Sequence, residues 1–195
     1  MANTIASSSA ALATPRTQSL LRHAGLAIAA TIVIAICAHI ALPLPWTPIP
    51  LVAQDLAVLV VGFLFGPQLG FATLVLYLAE GAAGLPMFNP HGPGGIAQII
   101  GPTGGFLMAY PAVAAIAGAL RSRTGNYAQN LFAAAIATTV LFTCGVLYFA
   151  ILLHTGVSTT LNSALTPFLP GAVLKCAVAA GIATAWNKTS RSRAN

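Results

Sequence analysis

Residues 51–85, LVAQDLAVLVVGFLFGPQLGFATLVLYLAEGAAGL, decide the fold class. Two apolar runs flank Gly66–Pro67, a dipeptide that turns the chain, and only Asp55 and Glu80 interrupt them with charge. Runs this apolar on every side are membrane spans or deeply buried helices. The rest of the chain chooses between these. Of 195 residues 57% are hydrophobic, and only eight Lys/Arg and two Asp/Glu carry formal charge. A soluble domain has roughly 25% charged residues, and the 5% here cannot cover a water-facing surface. The composition therefore predicts an all-α integral membrane protein and excludes a soluble enzyme.

Working outward from that stretch, a spanning helix needs about 20 residues, and six spans account for the chain. Span one runs from about Leu20 to Leu42, followed by an extended connector with Pro43, Pro45, Pro48 and Pro50. Span two covers Leu51 to Gly66 and span three Gln68 to Leu85, before the Gly/Pro-rich loop PMFNPHGPGGIAQIIGPT. Span four runs from Gly104 to Leu120, with a kink expected at Pro111. Span five is Leu131 to Leu153. The polar loop HTGVSTTLNSALT then leads to span six, from Pro167 to Trp186. Residues 1–18 read as a flexible cytoplasmic tail, 19–186 as a six-helix transmembrane domain, and 187–195 as a basic cytoplasmic tail.

Six spans put both termini on one side, with the loops after spans two and four. That side holds Arg16, Arg22, Arg121, Arg123, Lys188, Arg191 and Arg193, and the other side holds no Lys or Arg. By the positive-inside rule both termini are cytoplasmic. The sequence pI near 9.8 thus reports topology, and no nucleic-acid partner is expected. Small residues recur at four-residue spacing, Gly62/Gly66/Gly70 and Ala177/Gly181/Ala185, and predict close helix packing within the bundle. Cys37, Cys144 and Cys176 lie in apolar runs without metal-ligand or disulfide spacing and read as packing residues. The chain has no G-x-x-x-x-G-K-[ST], G-x-S-x-G or H-E-x-x-H motif, so neither catalysis nor a bound cofactor or metal is expected.

With seven bases assigned to topology, Asp55, Glu80 and Lys175 remain, each inside a span. A charge at mid-membrane costs several kcal/mol, so each should face the bundle interior and find a partner. At 1.5 Å per residue, Asp55 lies about 6 Å, Glu80 about 8 Å and Lys175 about 12 Å below the outer boundary. Three charges in the outer half of three helices suggest a polar pocket open to the outside. The alternative reading is a structural ion pair of Lys175 with Glu80 or Asp55, tying helices together. Phe168, Gly171, Ala172 and Ala179 share a helical stripe with Lys175, which suits an anion carried on an apolar body. Asn89 and Gln98 offer amides, Thr103 with Gly104–Gly105 offers backbone N–H groups at a helix start, and Trp46, Phe88 and Tyr110 offer aromatic walls.

Four motifs carry a resemblance: PLPWTPIPLVAQDLAVLVVGFLFGPQLG, LYLAEGAAGLPMFNPHGPGG, GPTGGFLMAYP and PFLPGAVLKCAVAA. Together they span roughly residues 38–181 and resemble the BioY family, the biotin-capturing S components of energy-coupling factor (ECF) transporters. The resemblance implies a six-helix S-component-like bundle in a bacterial plasma (inner) membrane, with biotin near the outer side. It also implies an energising module of a transmembrane T component and two ATP-binding subunits. The family pattern P-F-x-P-G-D-x-x-K places its lysine at Lys175, whereas Ala172 stands where the family has Asp. It further implies that Asn89 contacts ligand. In that reading Lys175 meets the valerate carboxylate, Asn89 and backbone groups read the ureido ring, and aromatic residues such as Tyr110 and Phe168 hold the bicyclic body. Asp55 and Glu80 either join the site or pair helices. The alternative is an ion-coupled secondary carrier for a small carboxylate-bearing solute, in which the acid left without a base takes up a proton.

Overall fold

The computed structural model describes residues 15–192, so most of the expected N-terminal tail and the last three residues lie outside the described residues. Within them the chain forms α1 (Pro15–His39), β1 (Ala41–Leu42), β2 (Leu51–Val52), α2 (Gln54–Ala82), α3 (Gly95–Ile99), α4 (Gly104–Leu120), α5 (Tyr127–Leu153), α6 (Val157–Ala164), a 3-10 turn (Thr166–Phe168) and α7 (Leu169–Ser192). Four stretches are long and apolar enough to cross a membrane, Thr17–His39, Gln54–Ala82, Tyr127–Leu153 and Val157–Ser190, and Gly104–Leu120 is a shorter apolar helix.

The count reaches six because α2 is a hairpin of two helical legs. Gly66 sits at φ 80°, ψ −179°, a left-handed φ that only glycine adopts freely. Pro67 then starts the second leg, where its missing N–H costs nothing. The legs lie side by side: a Cβ on Gly70 would stand 3.3 Å from the Gly62 Cα. Gln54 Nε2 donates to Tyr77 Oη at 2.9 Å, although in a straight helix these residues would be about 35 Å apart. The Gly62/Gly66/Gly70 stripe therefore makes the turn and its seam. α4 closes on that seam, and a Cβ on Gly118 would lie 2.5 Å from the Gly66 carbonyl carbon, 2.6 Å from Gly62 O and 2.7 Å from Pro67 N. By contrast, nothing lies within 4 Å of a Cβ built on Gly181, so the second stripe does not pack inside the bundle as expected.

Two ends follow. The Gly66 turn, the 121–126 loop and the C-terminal part of α7 meet at one end, where Gly125 lies against Asn187 and Lys188. Arg121 there has a second task, donating to the Phe63 and Leu64 carbonyls. These are the unpaired C-terminal acceptors of the first α2 leg, and a cation there also meets the negative end of the helix dipole. Asn130, fully buried, accepts from Ser122 N–H at 2.8 Å and donates to Thr184 Oγ1 at 3.0 Å, tying the loop to α5 and α7.

The opposite end is more ordered than its loop composition suggests. The proline connector folds back on itself, with Ala41 opposite Val52 and Leu42 opposite Leu51 in a two-rung antiparallel ladder. The Gly/Pro loop contains α3, and the polar segment after span five contains α6. Thr47 Oγ1 donates to Ser163 O at 2.7 Å, docking the connector on α6. Both helices are too short for apolar periodicity to announce them, and tertiary contacts hold them. α4 holds Pro111 within one continuous helical element, and α7 extends past Trp186 to Ser192.

Apolar packing divides likewise. The main core joins Ile34, Val58, Leu74, Tyr77, Val113 and Ala134, among others. A smaller cluster of Ile49, Phe149, Ala164 and Phe168 seals the connector end. Large side chains such as Ile32, Ile36, Phe132, Ile151 and Leu174 remain exposed at 53–72%, a perimeter suited to lipid and untenable in water.

Close packing at Gly118 generates a prediction. Gly118→Ala should lower the apparent melting temperature of the detergent-solubilised protein by several degrees, for a cost of about 1–3 kcal/mol. Gly181→Ala should leave it unchanged or raise it slightly, because alanine is the better helix former and its methyl has room.

Candidate functional site

The first leg of α2 begins at Gln54, which places Asp55 in its first turn, where the helix dipole favours a carboxylate. α7 crosses opposite and brings Lys175 Nζ to 2.7 Å from Asp55 Oδ2. Tyr110, from the middle of α4, donates its hydroxyl to Asp55 Oδ1 at 2.8 Å. Three helices thus converge on one carboxylate. Gln54 is itself fixed from below, donating to Tyr77 Oη, which donates on to Met87 O at 2.6 Å. Lys175 and Asp55 keep 16% and 23% of their side-chain surface exposed, so the pair is a cavity wall rather than a sealed core element.

That cavity holds about 550 Å³ of empty space, the solvent at its open mouth included, and its lining runs from the ion pair to the connector. Its floor is Asp55, Tyr110 and Lys175, its walls are Phe106, Leu107, Leu141, Phe142 and Phe168, and its rim is Ile49, Pro50, Val52, Gln54, Asn89 and Thr103. Apolar walls with a few convergent polar groups are the ordinary anatomy of a small-molecule pocket. Phe106 and Phe142 meet edge to face, with ring centroids 6.1 Å apart at 87°.

Six residues singled out in the sequence line this cavity: Asp55, Asn89, Thr103, Tyr110, Phe168 and Lys175. Two do not. Glu80 stands outside it on the second α2 leg, and its Oε2 is buried without a partner among the described residues. Lys175 takes Asp55 as its counter-ion, which resolves the choice between the two acids. Gly104 is a packing position: its N–H bonds Gly101 O at 2.9 Å, and a Cβ there would strike Ile99 O at 1.8 Å. Its N–H is therefore committed and unavailable to a ligand. Trp46 is 63% exposed rather than a wall, and Phe88 packs edge-on against Tyr77 with centroids 5.6 Å apart. Phe106 and Phe142 take the aromatic role instead. Phe106 directly follows Gly104–Gly105, so its place beside the rim was signalled, whereas nothing in the sequence distinguishes Phe142 from other span residues.

Ala172, one turn before Lys175, faces a small side cavity shared with Asp55, Leu59, Thr138, Leu141 and Phe142. The carboxylate that Lys175 meets therefore comes from α2 across the bundle and not from its own helix. Among the described residues no group of three His, Cys, Asp or Glu side chains could hold a metal ion.

A model of the BioY family matches residues 7–192. The biotin transporter BioY of Rhizobium etli is 31% identical, over 79% of this chain and 86% of that protein. That of Thermotoga maritima is 28% identical, over 84% and 94%. The probable biotin transporter BioY of Pyrococcus horikoshii is 43% identical over a shorter stretch, 39% of this chain and 46% of that protein. A crystal structure of the S-component for biotin from an ECF-type ABC transporter superposes with a TM-score of 0.79, covering 88% of this chain and 93% of that one at 23% identity.

The ion pair is testable without any ligand. Asp55→Ala and Lys175→Ala should each destabilise the solubilised protein, because each strands a charge. The double variant should be less destabilised than the two losses summed, with a coupling of about 2 kcal/mol in a double-mutant cycle of unfolding free energies. Additive losses would mean that the pair carries no stability.

Proposed function

The chain belongs to the BioY family, and we propose that it is the biotin-capturing S component of an ECF-type vitamin uptake system. The observation that carries this reading is the cavity. It joins one buried-side ion pair and a tyrosine hydroxyl to three phenylalanines, matching a ligand with a polar ring, a sulfur-containing bicycle and an aliphatic acid chain. Asp55, Tyr110 and Lys175 hydrogen-bond the deep end of the ligand, Asn89 and Thr103 the shallow end, and Phe106, Phe142 and Phe168 enclose its body.

The protein is multi-pass, and its home in this reading is the bacterial plasma membrane. Both termini and the Arg121 end then face the cytoplasm, where lysine and arginine accumulate. Capture is what this chain supplies in this reading. Its sequence has no phosphate-cradling loop, so uptake draws on a transmembrane T component and two ATP-binding subunits. Residues 1–18 and 187–195 act as cytoplasmic extensions of the six-helix domain. An ion-coupled carrier would use Glu80, whose buried Oε2 has no partner among the described residues, as its proton acceptor. Glu80 stands apart from the cavity, which favours the S-component reading.

Equilibrium binding of labelled biotin to the purified protein tests this reading. Wild type should bind, and Lys175→Ala should lose at least about tenfold in affinity while remaining folded, the worth of one charge-assisted hydrogen bond. No biotin binding by wild type, with thiamine or riboflavin bound instead, would overturn it. Uptake that collapses with a protonophore while ATP is maintained would favour the ion-coupled carrier.

A further inference from the structure

The basic end of the bundle carries a groove that the proposed function does not use. It opens between His23 of α1, Phe65, Gln68 and Leu69 around the Gly66 turn of α2, and Arg121 just past α4. It holds about 910 Å³ of empty space, the solvent at its open mouth included. Arg121 is held in place there. Its Nη1 donates to the Phe63 and Leu64 carbonyls, and its Nη2 lies 3.8 Å from a Cβ built on Gly66, which itself lines the groove. Nε and Nη2 make no hydrogen bond among the described residues and are not among the buried atoms left without a partner, so they stay open to the outside.

A guanidinium presents its donors as a planar fork that suits a phosphate or a carboxylate. Here one arm is committed to helix carbonyls and the rest of the fork lacks an anion. No acidic side chain of this chain can supply one. There are only two, and Asp55 and Glu80 stand about 16 and 21 Å from Gly66 along the two α2 legs. The other polar groups in the lining, the His23 imidazole and the Gln68 carboxamide, are both able to donate, and both residues are exposed. Arg22 and Arg123, exposed and next to lining residues in sequence, add to the positive potential.

The remaining walls are apolar. Phe65 and Leu69 are half-buried, and Leu20 and Leu26, one turn to either side of His23 on α1, stay 63% and 42% exposed. A cationic donor set at the level where the spans turn, bordered by exposed leucines, complements an anion that carries hydrocarbon chains. A soluble anion gains nothing from that border, whereas an anionic phospholipid of the cytoplasmic leaflet has both parts.

We propose that this groove binds the headgroup of an anionic phospholipid, with Arg121 Nε and Nη2 donating to its phosphate oxygens, His23 and Gln68 flanking them, and the acyl chains lying against the neighbouring leucines. The lipid supplies the anion that this end of the chain lacks, and it ties α1 to the α2 turn and to the end of α4.

The test is native mass spectrometry of the full-length protein, delipidated in a neutral detergent and titrated with dioleoyl phosphatidylglycerol, dioleoyl phosphatidylcholine or inorganic phosphate. Wild type should hold phosphatidylglycerol at least about tenfold more tightly than phosphatidylcholine, whose choline meets the same bases. Gln68→Glu sets a carboxylate in the groove at an exposed position, where it takes the place of the lipid anion beside Arg121. It should lower phosphatidylglycerol affinity about tenfold. Arg123→Gln changes the net charge of the same end equally but lies outside the groove lining, and should shift that affinity by no more than about twofold. Arg121→Gln should abolish the preference between the two lipids, and Gln68→Glu covers the case in which that variant misfolds. Equal losses in Gln68→Glu and Arg123→Gln would overturn the proposal by revealing a diffuse charge effect. Equal affinity of wild type for the two lipids would also overturn it, and would leave the Arg121 fork to a carboxylate of a partner protein. Inorganic phosphate displacing phosphatidylglycerol at equal concentration would overturn the lipid as occupant.

Discussion

One constraint organises this molecule: a charge in a low-dielectric interior must find an opposite charge or a set of hydrogen bonds. Lys175 meets it through Asp55, and Asp55 through Lys175 and Tyr110. These contacts join α7, α2 and α4 at one level of the bundle and fix how far each helix is rotated about its own axis. The same level is the floor of the cavity. The groups that recognise ligand in the proposed function are thus the groups that hold the helices in register, so the site is preorganised at the expense of stability that a purely apolar contact would not risk.

Much of this was legible in the chain. Apolar runs, the Gly66–Pro67 break and the distribution of bases were enough for a six-pass bundle with a basic end, because spanning a membrane leaves few choices. The partition of the three interior charges was not. Asp55 and Glu80 sit at similar depth on the two legs of one hairpin, and only rotation about the helix axis decides which faces Lys175. That rotation is set by Gly62, Gly70 and Ala114 meeting across the seam, a non-local fact that no local pattern encodes. For the same reason Gly104 read as a donor and proved to be a packing position, committed to Gly101 and pressed against Ile99.

The connector end shows the complementary case, in which composition understated order. Proline, glycine, serine and threonine there read as loop, yet a two-rung ladder, a five-residue helix and an eight-residue helix are built from them. Their stability comes from each other: Thr47 on Ser163, Ile49 on Phe149 and Phe168, and Gln98 on Gly92 and Gly94. This small cluster is distinct from the main core and meets it through Phe106.

The break at Gly66 has a consequence for where empty space can exist at all. It limits the first leg of α2 to residues 54–65, about 18 Å of helix, against a hydrocarbon thickness of about 30 Å. No residue from 54 to 66 is exposed, so neighbouring helices surround this leg and lipid need not adjust to it. The missing 12 Å or so, some eight residues of helix, is not filled by α2. Beside the start of this short leg lies the cavity, lined by Ile49, Pro50 and Val52 of the connector and by residues of α4, α5 and α7. A leg cut short by glycine thus leaves room beside its first turn that a full-length span would fill.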